Sequence, residues 1–177
     1  GGQRSLLTRP ASEQVEQYVV ALGARAQSLS GDQREDNLLK INGDGRAIAI
    51  DPRLRGLDAD EDGGRLGQIA DGIIDVHERS KDTRYVDSSG REEPIPGALQ
   101  LVFLDQGTPG GAGPNLYEDL RGELVDRGMD RERVAFIHDA TDDESRGELF
   151  ARCRDGRVNV LVGSTEKVGT GVNVQKR

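Results

Sequence analysis

Three runs, "ALQLVFLD", "RVAFIHD" and "VNVLVG", are apolar at almost every core position, and two helix-length polar stretches separate them. No other feature constrains the fold of this chain as strongly. A strand with one solvated face alternates apolar and polar residues. A strand that is apolar throughout has both faces covered. Strand, helix, strand, helix, strand is the order of a parallel sheet with crossover helices. The expectation for residues 98–177 is therefore an α/β fold, a parallel sheet covered by helices on both faces. The intervening stretches carry helix punctuation. "NLYEDLRGELVDRG" has Asn115 as N-cap and Gly128 as stop, and Gly156 ends "DDESRGELFARCRDG". In open parallel sheets, ligands bind beyond the carboxyl ends of the strands. Asp105–Pro109, His138–Thr141 and Gly163–Thr170 follow the three runs, so these loops are expected to share one edge.

Residues 1–97 are less regular. "ASEQVEQYVVALGARAQSLS" reads as a helix with Ser12 as N-cap and Val15, Val19 and Leu22 at helical spacing. In "DNLLKINGDGRAIAIDPRL", Gly43-Asp44-Gly45 reads as a turn, and "RAIAI" alternates like a short strand before Pro52. "DADEDGG" is a loop. A second helix is expected over 65–81, with Leu66, Ile69, Ile73, Ile74 and His77 on or near one face. The polar, Pro- and Gly-broken stretch from Asp82 to Gly97 reads as a mobile connection. Residues 1–97 are thus expected to form a helical extension and connection belonging to the sheet domain, and 98–177 its core.

The length of 177 residues suits one domain of ordinary size. With 3% aromatic residues and no Trp, aliphatic side chains must fill the core. The net charge of −8 argues against a basic nucleic-acid-binding surface as a whole. It leaves room for a local positive patch, because binding depends on the patch and not the sum. The acidic runs "DADED" and "DATDDE" read as solvated loop and helix N-terminus. The lone Cys153 rules out an internal disulfide and a cysteine-rich metal site. It reads as inert and partly buried within a helix. No apolar run is long enough to span a bilayer, and the first ten residues lack the apolar core of a signal peptide. The expected setting is the cytoplasm, with no membrane partner. His77-Glu78 lacks the second histidine of a zinc helix motif. His138-Asp139 lacks a G-x-S-x-G nucleophile, so His138 reads as structural.

After the last strand comes "GSTEKVGTGVNVQKR". Gly169 and Gly171 allow close backbone approach or positive φ. Ser164, Thr165 and Asn173 offer neutral hydrogen bonds suited to phosphates or sugar hydroxyls, and Lys167 adds a point charge. The stretch is not a P-loop, since G-x-x-x-x-G-K-S/T is absent. A glycine-rich turn that merely reverses the chain is the alternative.

From about Leu99 to Arg177 the chain resembles the second RecA-like lobe of superfamily 2 helicases and Snf2-type DNA translocases. "LQLVFLDQGTP" resembles that lobe's first strand and motif IV. In the second half, Arg146, Phe150 and Asp155-Gly156 fall at the family's helix and turn positions, and "GSTEKVGTGVNVQ" resembles motif V. The wording is most similar to large bacterial and phage proteins in which a Snf2-like helicase accompanies a DNA methyltransferase-like region. "DNLLKINGDGRAIAIDPRL" also resembles their text before the second lobe.

The resemblance implies roles by position. Gln106, Gly107, Thr108, Ser164 and Thr165 would face a nucleic-acid backbone. Gly169, Gly171 and Asn173 would lie near the nucleotide cleft, and Lys167 would contact phosphate. The implied partners are DNA, duplex in the first instance, and a first RecA-like lobe of the same protein. ATP and Mg²⁺ would be cofactors of that parent. The chain lacks a Walker A loop and an acidic Mg²⁺ motif, and it ends before the arginine-bearing motif VI. Phosphoryl transfer needs a phosphate cradle, a metal and stabilising charge. The expectation is an ATPase lobe that is inactive alone. The alternative is a non-catalytic RecA-like or Rossmann-like module that binds a nucleotide or a partner. Positive potential along the strand-end edge, from Lys167, Lys176 and Arg177 against an acidic remainder, would favour the motor, and an acidic edge would favour the non-catalytic module.

Overall fold

The computed structural model describes residues 5–29, 37–86 and 89–169. Two compact units divide the chain, Gly1–Arg65 and Leu66–Arg177. The sheet-bearing unit thus begins at Leu66 and takes in most of the second predicted helix.

The first unit is helical. Helix α1 spans Glu13–Gln27; Ser12 precedes it in the extended N-cap conformation, but its hydroxyl makes no capping hydrogen bond. Of the anticipated face, Leu22 is buried whereas Val19 is 52% exposed. Helix α2 spans Leu38–Ile50 and is capped by the Asn37 side chain, which accepts from the Lys40 amide. This corrects the turn and short strand expected over 43–50. Gly43 and Gly45 lie inside the helix, and "RAIAI" forms its last turns, burying Ala47 and Ile48. Tertiary ion pairs help hold it: Asp44 accepts from Arg25 Nη1 at 2.8 Å and from Arg55 Nε at 2.7 Å. A short 3₁₀ turn, Pro52–Arg55, follows, capped by the Asp51 side chain.

Helix α3 (Gly64–Ser80), in the second unit from Leu66 onward, matches the helix expected over 65–81 to within a residue. It buries Leu66, Gly67, Ala70 and Ile73. Next come β1 (Gln100–Phe103), α4 (Leu116–Asp126), β2 (Val134–Phe136), α5 (Asp143–Arg154), β3 (Val160–Gly163) and α6 (Thr165–Gly169). The three strands form one parallel sheet in the order β1-β3-β2. The fold is α/β, as the apolar runs implied. Both α4 ends match the sequence reading. Asn115 accepts from the Glu118 amide, and Gly128 takes φ +93° beyond the helix. Helix α5 starts at a capping box between Asp142 and Ser145.

Strand order and handedness place the helices. The β1–α4–β2 crossover passes over β3 in one direction, and β2–α5–β3 returns in the other. Right-handed crossovers of opposite direction lie on opposite faces. Packing follows that parity. Val134, Phe136, Val160 and Val162 share the face toward α4, where Leu116, Tyr117, Leu120 and Leu124 are fully buried. The Tyr117 and Phe136 rings meet edge to face at 5.4 Å, and the Arg121 guanidinium lies 3.9 Å above the Phe136 ring. Ala135 and Leu161 face the other way and cluster with Leu149 and Cys153 of α5 and with Val168 of α6. Central β3 is buried at every position, as a strand covered on both faces must be. The edge strand β1 is not. Leu101 and Phe103, on the α5 face, stay 39% and 53% exposed.

Among the described residues, no helix is long and apolar enough to cross a membrane.

Candidate nucleic-acid interface

All three strands point their carboxyl ends at one edge, and the residues that follow them meet there. The strongest link joins the loop after β1 to the segment after β3. The Asp105 carboxylate accepts from the Thr165 amide at 2.6 Å and from the Thr165 hydroxyl at 2.8 Å. The loop after β2 joins the same edge. His138 sits in a 3₁₀ turn, Ile137–Asp139, and Lys167 is near enough to act on its titration.

Local chemistry explains each position. Gly163 ends β3 where no side chain fits. A Cβ there would lie 2.1 Å from Val168 Cγ2 and 2.6 Å from Ile137 Cγ2. Its absence lets α6 fold back onto the sheet. The expected loop therefore opens with a helical turn: the Val168 amide donates to the Ser164 carbonyl at 2.9 Å, and the Lys167 amide to Ser164 Oγ at 3.2 Å. Burial of Val168 anchors one side of the turn, while Thr165, Glu166 and Lys167 remain exposed on the other.

Gly107 is equally constrained. It has φ +61°, and a Cβ would fall 2.3 Å from Leu116 Cγ. The Leu116 amide donates to the Gly107 carbonyl at 2.9 Å. The β1 loop is thus folded onto the first turn of α4. Gln106, Gly107 and Thr108 are half-buried there.

Beneath the edge the buried Tyr117 ring packs against the half-buried His138. The Tyr117 hydroxyl donates to the Leu104 carbonyl at 2.7 Å, and its ring meets His138 edge to face at 5.0 Å. Burial, with the Asp105 charge adding, pushes the Tyr117 pKa up to about 12. Burial lowers the His138 pKa, and the Lys167 charge lowers it further against the opposing charge of Asp139. Among the described residues its buried Nδ1 has no hydrogen-bond partner. Cys153 is fully buried, and burial raises its thiol to about 11, so it is an inert core residue.

Of the sequence-predicted nucleic-acid residues, Gln106, Gly107, Thr108, Ser164, Thr165 and Lys167 are all on this edge. Thr165 differs from expectation in one respect: its hydroxyl proton and amide are committed to Asp105. Of the nucleotide-site residues, Gly169 closes α6, while Gly171 and Asn173 lie outside the described residues, as do Lys176 and Arg177. Among the described residues, no cluster of three or more His, Cys, Asp or Glu side chains is placed to hold a metal ion. Sequence reasoning missed Asp105 as a structural partner and Tyr117 as the support of His138. The only signal for Asp105 was an acidic residue at the end of a buried strand.

No family model, curated protein or solved structure matches the chain.

Proposed function

We propose that this chain is the second RecA-like lobe of a DNA-dependent ATPase. The parent would be a superfamily 2 helicase or Snf2-type translocase, of the kind joined to DNA methyltransferase-like regions in bacteria and phages. One observation carries the reading. The segments resembling motif IV and motif V, 60 positions apart, converge on one sheet edge through Asp105 and Thr165. A motor lobe needs such an edge, where one set of loops meets both nucleic acid and the nucleotide cleft, so that a change at one shifts the other. Gln106, Gly107, Thr108, Ser164 and Lys167 would meet the DNA backbone. Gly169, Gly171 and Asn173 would approach the nucleotide. ATP and Mg²⁺ would be held mainly by a first lobe, because this sequence supplies neither a phosphate-cradling P-loop nor a metal-binding cluster among its described residues. Alone, the lobe would not hydrolyse ATP.

The test is ATP turnover by a longer chain containing a first lobe before this one and the arginine-bearing motif after it, with and without duplex DNA. The 177-residue chain is the control. DNA-stimulated turnover that is lost in Gly169→Ala, with a silent control, is the expected result. A folded longer chain with no turnover would overturn the motor and leave a nucleotide- or partner-binding module.

A further inference from the structure

We propose that Asp105 is a positioning residue. By clasping Thr165 through both its amide and its hydroxyl, it fixes the segment after β3 against the loop after β1. It thereby presents Ser164 and Lys167 to a nucleic-acid backbone. The inference rests on the nucleic-acid reading above and gives that site its internal architecture.

A phosphate oxygen accepts hydrogen bonds and donates none. A threonine that contacts phosphate must offer its hydroxyl proton or its amide. In Thr165 both are taken, at 2.8 Å and 2.6 Å, by one carboxylate. Charge-assisted bonds of this kind are stronger than neutral ones and directional. Thr165 therefore serves as the handle by which the segment is held. Ser164 lies on one side of it and Lys167 half a helical turn further on. The Lys167 amide is tied back to Ser164 Oγ, so a handle on Thr165 sets the orientation of both. The second attachment of the segment is Val168, buried against Ile137 and Gly163. Two attachments fix a short turn where one would leave a pivot. Asp105 and Thr165 are both exposed, so the clasp adds little to global stability. Its consequence lies in the geometry of the edge.

This gives a prediction whose sign separates positioning from electrostatics. Removing a carboxylate beside a phosphate-binding edge should tighten DNA binding by charge alone. Removing a positioning carboxylate should weaken it. Binding of the 177-residue chain to a short labelled duplex at low salt would be compared across variants. Asp105→Ala is expected to weaken binding by about tenfold, the scale of losing one charge-assisted anchor. Asp105→Asn keeps an oxygen for the Thr165 amide and should restore part of the affinity. Thr165→Val should weaken binding alone but add nothing in the Asp105→Ala background. Asp139→Asn removes a charge from the same edge without touching the clasp, and should bind as well as the wild type or slightly better. Amide exchange over residues 164–168 should accelerate in Asp105→Ala while the rest of the sheet unit is unchanged. Asp105→Ala that binds as tightly as the wild type, or additive losses with Thr165→Val, overturns the positioning role. Unchanged exchange at 164–168 overturns the clasp itself. A wild-type chain that binds no duplex, with exchange responding as expected, overturns the nucleic-acid reading instead.

Discussion

Two pairs of glycines, one in the sheet unit and one in helix α2 of the helical unit, stand in opposite surroundings. In the sheet unit, Gly163 and Gly107 stand where a Cβ would lie 2.1 Å and 2.3 Å from a neighbouring side chain. They are glycine because something else fills the space. In the helical unit, Gly43 lies within α2 with nothing among the described residues within 4 Å of its would-be Cβ, and Gly45 meets Leu22 Cδ1 at an ordinary 3.7 Å. There the residue is tolerated, at the entropic cost any helix interior carries. Glycine in a sequence therefore marks either a required approach or a merely permitted weakness. Only the surroundings tell which, and the surroundings come from tertiary packing.

Substitution by alanine should separate the two kinds. Gly163→Ala would force apart Val168, Ile137 and the end of β3, and overpacking of this sort costs about 3 kcal/mol. Urea unfolding monitored through the sheet unit would show it. A loss below that of an ordinary surface change would mean that α6 moves aside freely. Gly107→Ala comes next. It adds strain at φ +61° to the clash with Leu116 and should cost about 2 kcal/mol. Gly43→Ala should act in the opposite direction, stabilising α2 by about 0.5–1 kcal/mol. Slower amide exchange across Leu38–Ile50 would register the gain, and faster exchange would break the contrast.

The same contrast explains what could be read in advance. The parallel sheet was legible because Val160, Leu161 and Val162 are apolar at consecutive positions, a pattern a half-exposed strand does not sustain. The ends of α4 were legible because capping is local: Asn115 and Gly128 act on amides and carbonyls a few residues away. The shared edge followed from strand direction alone. The helix α2 was not legible. Gly43-Asp44-Gly45 has turn composition, and what holds it helical includes Arg25 and Arg55, which sequence spacing does not bring to Asp44. The exposure of Val19 was hidden for a related reason, since periodicity marks a face without saying what covers it. The Asp105–Thr165 clasp joins residues 60 positions apart, so a single sequence carries no sign of the pair. Gly163 was noticed as a loop residue, but its role belongs to the packing of Val168.

Asp44 offers the smallest effect and the sharpest test of how the helical unit holds a glycine-bearing helix. The hydrogen bond from Arg25 is the main cause that lowers its pKa below the ordinary 3.8. Partial burial opposes the shift, and Arg55 lowers the value further. A carboxyl whose folded pKa is depressed stabilises the folded state above its unfolded value. That contribution is lost as pH falls through the folded value. At neutral pH, Asp44→Asn should therefore cost up to about 1 kcal/mol, the usual range for a partly exposed ion pair with good geometry. Below pH 3.8 the gap between wild type and variant should narrow, and it should close once the wild-type carboxyl is protonated. Taking the difference between the two proteins cancels every other titrating carboxylate. Amide exchange or helical circular dichroism across a pH series would follow it. A gap that stays constant into acid would mean that Arg25 and Arg55 hold α2 by packing their alkyl chains, with the charge of Asp44 incidental. A gap that closes on schedule would mean that α2 depends on Asp44 charge, whereas the sheet unit depends on the absence of a side chain at Gly163.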